Sequence, residues 1–122
     1  MDEAFEKAIR LFNDGRFSEF QDLVETFTSG TRAPSERTFY TVLKNLAEAL
    51  IQLGDGDLGE TTQLLTAALR KLDDFLPRYR DINVTALRDE FRTVLLDVRE
   101  AQEGRRRESV PARLPRLRVL PH

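Results

Sequence analysis

The sequence predicts an all-α protein, a compact bundle of five helices closed around one core. Three observations predict it. Five segments repeat apolar residues every three or four positions, as one face of an α-helix requires. None alternates apolar and polar residues over a useful length, as a half-buried strand would. Clusters of Gly, Asn, Asp and Pro stand where one helix must give way to the next. With 122 residues the chain suits one domain, which at this length buries roughly two-thirds of its unfolded surface.

The first helix spans about Asp2 to Phe12, with Phe5, Ala8, Ile9 and Phe12 on one stripe. Asn13-Asp14-Gly15 stops it, since Asn and Gly tolerate positive φ. A second helix begins near Phe17, aligns Phe20, Leu23, Val24 and Phe27, and ends at Ser29-Gly30-Thr31. Pro34 suits the first turn of the third helix, where its missing N–H has no partner to lose. Phe39, Val42, Leu43, Leu46, Ala47, Leu50 and Leu53, widened by Ile51, give that helix the broadest apolar arc and the central place. Gly54-Asp55-Gly56 closes it. Asp57 then caps a fourth helix, with Glu60 placed to bond back to the cap's amide. Its stripe runs Leu58, Leu65, Ala68, Leu69, Leu72 and Leu76, and Pro77 blocks extension. Asn83 caps the fifth helix, which aligns Val84, Leu87, Phe91, Val94, Leu95 and Val98 beneath a charged outer face.

The helices carry an internal echo. Ala8–Val24 and Ala49–Leu65 align with Gly15 on Gly56, Phe17 on Leu58 and Glu19 on Glu60. Helices one/two and three/four therefore read as two αα-hairpins, with the fifth helix closing the exposed side. Two copies are too few for an open solenoid.

Residues 1–103 form this bundle domain, and 104–122 an irregular, basic tail with Pro111, Pro115 and Pro121. The tail holds Arg105, Arg106, Arg107, Arg113, Arg116 and Arg118 against one acid, Glu108, a charge of +5. The remaining 13 basic and 20 acidic residues leave the body at −7. Leu114, Leu117, Val119 and Leu120 are interspersed with arginines, as in a segment lying extended along a surface. The expectation is that the tail docks on its own acidic body or on that of a second subunit. Phosphate neutralisation by these arginines is the other reading, but the tail has no aromatic residue to stack on bases and the body repels a polyanion, so nucleic acid is not the expected partner.

Composition removes several chemistries. Without cysteine there is no disulfide, thiolate metal site or nucleophilic thiol, which fits a cytoplasmic protein. No apolar run approaches the roughly 20 residues of a membrane span, and the acidic start is unlike a signal peptide. His122 stands last, where no packed shell orients it, so a general base would have to be a carboxylate such as Asp22, Glu19, Glu25 or Glu48. No helix shows a Glu-x-x-His ligand set, and Gly54-Asp55-Gly56-Asp57 lacks both the lysine of a phosphate loop and the length of a calcium loop. Neither a metal nor a cofactor is expected.

FNDGRFSEFQDLVE, APSERTFYTVLKNLAEALIQLGDGD, LLTAALRKLDDFLP and INVTALR, in that order, resemble the prokaryotic proteins grouped as domain of unknown function 309, over roughly residues 5–99. The resemblance implies a small all-helical bundle and carries no biochemical activity with it. That family's mark is a His, a Glu four residues later and a Trp three after that; the matching positions here are Gln21, Glu25 and Thr28. Its third helix opens Arg-x-Phe-Tyr-Gln-Gly-x-x-Gln, against Arg37-Thr38-Phe39-Tyr40-Thr41-Val42-Leu43-Lys44-Asn45 here. The glutamate, the arginine and two aromatics remain, and the rest of the polar pattern is replaced.

The residues thus single out one candidate pocket, Gln21, Glu25, Arg37, Tyr40 and Asn45 across the second and third helices. Its plainer reading is a Glu25–Arg37 ion pair that solvates two charges. The function expected is a non-catalytic helical interaction module that binds a protein partner or itself. A small-ligand binder or hydrolase-like enzyme using that pocket is the alternative, and polyanion binding through the tail a weaker one.

Overall fold

The computed structural model describes residues 2–104 and 114–121. Five helices account for most of them: α1 Glu3–Asn13, α2 Phe17–Gly30, α3 Pro34–Gly54, α4 Leu58–Leu72 and α5 Val84–Gln102. Each helix packs on the next in chain order, because three-residue connections leave no room for another partner between α1 and α2, α2 and α3, or α3 and α4. Helix α3 lies between α2 and α4 and buries nine side chains, the most of any helix. Phe12 of α1 stands edge-on to Phe20 at 5.1 Å and reaches Phe91 of α5 at 6.3 Å, so one aromatic row runs from the first helix to the last. The fold is the all-helical bundle that periodicity predicts.

The internal echo is also a geometric one. Gly15 and Gly56 both take positive φ, +79° and +83°. The Arg16 amide donates to the Leu11 carbonyl and the Asp57 amide to the Gln52 carbonyl, each at 2.9 Å. Both helix ends are thus Schellman closures, with a glycine where a Cβ would be strained. The helices that follow start differently. Asp57 accepts the Glu60 amide at 3.0 Å, whereas Arg16 makes no side-chain cap and instead pairs with Glu19. Because the Asp57 amide is already given to Gln52, it is not the partner expected for Glu60, so only the cap half of the capping box is present.

Two expectations need correction after Leu72. Helix α4 ends there, a 3₁₀ turn covers Asp73–Phe75, and Leu76 lies beyond it, half-buried, before a cis bond to Pro77. A small antiparallel hairpin follows, β1 Arg78–Tyr79 and β2 Ile82–Asn83. Strands of two residues are too short to show alternation, which is why the pattern of the sequence misses them. The turn residues Arg80 and Asp81 both have positive φ, +48° and +64°, as the central pair of a type I′ hairpin requires. That turn normally takes Asn and Gly, so these side chains occupy a costly conformation.

Residues 114–121 of the tail lie along the body, but their alternation falls elsewhere than expected. Pro115 and Leu117 are buried, while Leu114 and Val119 are exposed. Val119 bridges Ile82 antiparallel: the Asn83 amide donates to the Arg118 carbonyl at 2.8 Å and the Leu120 amide to the Asp81 carbonyl at 2.7 Å. The tail is therefore joined to the free edge of β2 by one antiparallel bridge. Arg105, Arg106, Arg107 and Arg113 lie outside the described residues.

Candidate functional site

The hairpin carries Arg80 back to the start of the bundle. Its Nη1 donates to the Tyr40 hydroxyl at 2.8 Å and pairs with the Glu36 carboxylate, both on α3. Its Nη2 stands 3.7 Å from Oδ2 of Asp2, the N-cap of α1. The guanidinium lies over the Phe5 ring at 5.1 Å and the Tyr40 ring at 5.9 Å, within cation–π reach of both. Phe5, Phe27 and Tyr40 form an aromatic triad with centroids 5.5–6.3 Å apart. Around this cluster opens a concavity of about 420 Å³, rimmed by Gly30, Thr31 and Arg32 at the end of α2.

The chemistry of the cluster is set by three hydrogen bonds to one carboxylate. Glu36 accepts from the Tyr40 hydroxyl at 2.7 Å, from Arg80, and from the Thr31 hydroxyl at 3.4 Å. The Tyr40 bond, then the Arg80 charge, holds its carboxyl below the ordinary range despite partial burial. Tyr40 is shifted the opposite way: burial and the donated bond to Glu36 push its phenol well above the usual value. At neutral pH the pair is a firm carboxylate and a firm phenol.

The five residues singled out from sequence do not share one pocket. Gln21, Glu25 and Asn45 line a shallower groove of about 380 Å³ between α2 and α3, together with Asp22, Lys44 and Glu48. Gln21 donates there to the Lys44 carbonyl at 3.2 Å and to Glu48 at 3.3 Å. Tyr40 opens instead onto the Arg80 concavity. Arg37 is exposed and donates to the Thr31 carbonyl at 2.8 Å. The ion pair expected between Glu25 and Arg37 is absent, and Glu25 pairs with Lys44. The reason is axial. Positions 37 and 44 share a face of α3 but stand about two turns apart along it, so Lys44 lies level with Glu25 while Arg37 stands beside Thr31.

The tail seat is a second constellation that sequence does not mark. Asn13, the last residue of α1, grips Leu117 from both sides: its amide donates to the Leu117 carbonyl at 3.0 Å and its carbonyl accepts the Leu117 amide at 2.8 Å. Glu90 of α5 accepts the Arg116 amide at 3.1 Å and the Arg118 guanidinium at 2.7 Å. With the bonds to Asn83 of β2 and to Asp81 in the turn before it, residues 116–120 are held on α1, α5 and the hairpin, and Leu117 is 2% exposed. Among the described residues no buried side-chain polar atom lacks a partner, and no three His, Asp or Glu side chains gather as a metal site. No described helix is long and apolar enough to cross a membrane.

The chain matches no model of a known protein family and no curated protein. The geometry of the seat and of the Arg80 cluster therefore carries the functional argument.

Proposed function

We propose that the protein is a non-catalytic interaction module whose body recognises an extended, basic and apolar protein segment. One observation carries this reading: the body holds such a segment, residues 116–120, by hydrogen bonds along its backbone and by one buried leucine. Adding a strand to a free sheet edge is a recurring way for proteins to bind peptides, in which backbone bonds supply affinity and side-chain pockets supply choice. Asn13 fixes the register, Glu90 selects a cation one residue beyond the buried leucine, and the seat accepts a proline two residues before it. The Glu36–Tyr40 pair, held away from neutral titration, supports a non-catalytic reading. Arg118 is committed to Glu90, so this arginine would serve a polyanion only by giving up that pair.

Calorimetry tests the reading. In full-length Leu117→Asp the tail leaves its seat, and a synthetic peptide of residues 113–121 binds the vacated surface with one-to-one stoichiometry. A folded Leu117→Asp protein that takes up no peptide removes the reading. Peptide binding that survives Asn13→Ala and Glu90→Ala together also removes it.

A further inference from the structure

We propose that the concavity beside Arg80 is a binding site for a small monocarboxylate with a flat apolar body. The site is separate from the tail seat, and the proposal does not depend on the peptide reading. Among its ten lining residues are three aromatics, Phe5, Phe27 and Tyr40, and four charges in balance, Asp2, Glu36, Arg32 and Arg80. At about 420 Å³ it falls within the range of small-ligand pockets.

The sign of the ligand follows from which charges are already committed. Glu36 already accepts from Tyr40, Arg80 and Thr31. Arg80 spends Nη1 on Glu36 and Tyr40, while Nη2 meets Asp2 only at 3.7 Å, beyond a hydrogen bond. A guanidinium carries five donors, so most of this fork remains available. Arg32, on the rim, has no hydrogen bond or ion pair among the described residues. The donors left over are thus cationic, and the ligand group they fit is a carboxylate, which an arginine fork binds bidentately. An ammonium ligand is disfavoured because the faces of Phe5 and Tyr40 already hold the Arg80 cation. A phosphate dianion would meet the carboxylates of Asp2 and Glu36. Phe27, the partly exposed member of the aromatic triad, then offers the surface for the apolar body.

The turn gives an independent reason to look here. Arg80 reaches the site only because the chain accepts φ +48° at a position suited to Asn or Gly. Strained backbone of this kind concentrates where a side chain must be placed.

The test is an amide NMR titration of the full chain with phenylacetate. Saturable shifts are expected at residues 30–32, 36 and 80. 2-Phenylethanol and 2-phenylethylamine should bind at least about tenfold more weakly, since a hydrogen bond to a charged group is lost or reversed. Arg32→Ala, at an exposed residue with no partner to lose, should weaken phenylacetate about two- to fivefold with the fold unchanged. Arg80→Lys keeps the charge and removes the fork, and should weaken it further. Three outcomes overturn the proposal: no saturable shift with phenylacetate, equal binding of the alcohol or amine, or shifts confined to the α2/α3 groove. Inorganic phosphate moving the same amides at equal concentration would overturn the choice of ligand.

Discussion

Leu117→Ala is the sharpest probe of how the tail belongs to the fold. The side chain is 2% exposed, and truncating a leucine in a packed site costs about 2–5 kcal/mol. The lower end applies, because the tail can undock while the bundle stays folded, so the loss cannot exceed the free energy of docking. About 2–3 kcal/mol is therefore expected. For a urea slope of about 1–3 kcal/mol/M, this lowers the midpoint by roughly 0.7–3 M if undocking and unfolding are one transition. Asn13→Ala removes both side-chain bonds to the Leu117 backbone, at about 0.5–1.5 kcal/mol each. Both changes act on one docking event, so the double variant should lose clearly less than the sum. Equilibrium urea unfolding followed by circular dichroism measures all three variants. A Leu117→Ala midpoint equal to that of the parent would refute the claim that docking stabilises the bundle. Strict additivity with Asn13→Ala would refute the claim that the two share one event.

Other consequences can be checked with the same apparatus. Gly15→Ala and Gly56→Ala each force an L-residue into left-handed backbone and should each cost about 1–2 kcal/mol; a large inequality would mean the two hairpin turns are not equivalent. Asp57→Ala removes the cap of α4 and should cost about 1 kcal/mol, whereas Arg16→Ala, at the matching position without a side-chain cap, should cost much less. Tyr40 has a raised pKa in the fold, so its contribution to stability is complete below the unfolded value of about 10 and lost as pH climbs above it. Ultraviolet titration of a Tyr79→Phe protein should show Tyr40 ionising only as the protein unfolds, and ordinary titration with the fold intact would contradict the burial argument. Glu36 has a lowered pKa, so its stabilisation is present above about 4.3 and lost as pH falls through the folded value. Glu36→Gln should flatten the acid limb of the stability profile.

Local signals were enough for the rods and their ends. Apolar spacing marked all five helices, Asp57 and Asn83 cap as their side chains suggest, and the echo located both Schellman glycines. Each depends on residues within about one helical turn, where chain order and spatial neighbourhood coincide. The sites obey a different logic. Arg80 meets partners 40 and 44 residues away, and Asn13 meets Leu117 across 104. No periodicity encodes such encounters. The proposed five-residue pocket divided because its members stand at different heights along α2 and α3, and Tyr40 lies level with Arg80 and Asp2 rather than with Gln21 and Glu25. The hairpin stayed hidden because Arg80-Asp81 carries none of the usual turn residues, and its strained backbone is held by what Arg80 reaches. Which charges meet, and which remain open to a ligand, is settled only when distant segments pack, because a charge takes whatever partner the finished surface places beside it.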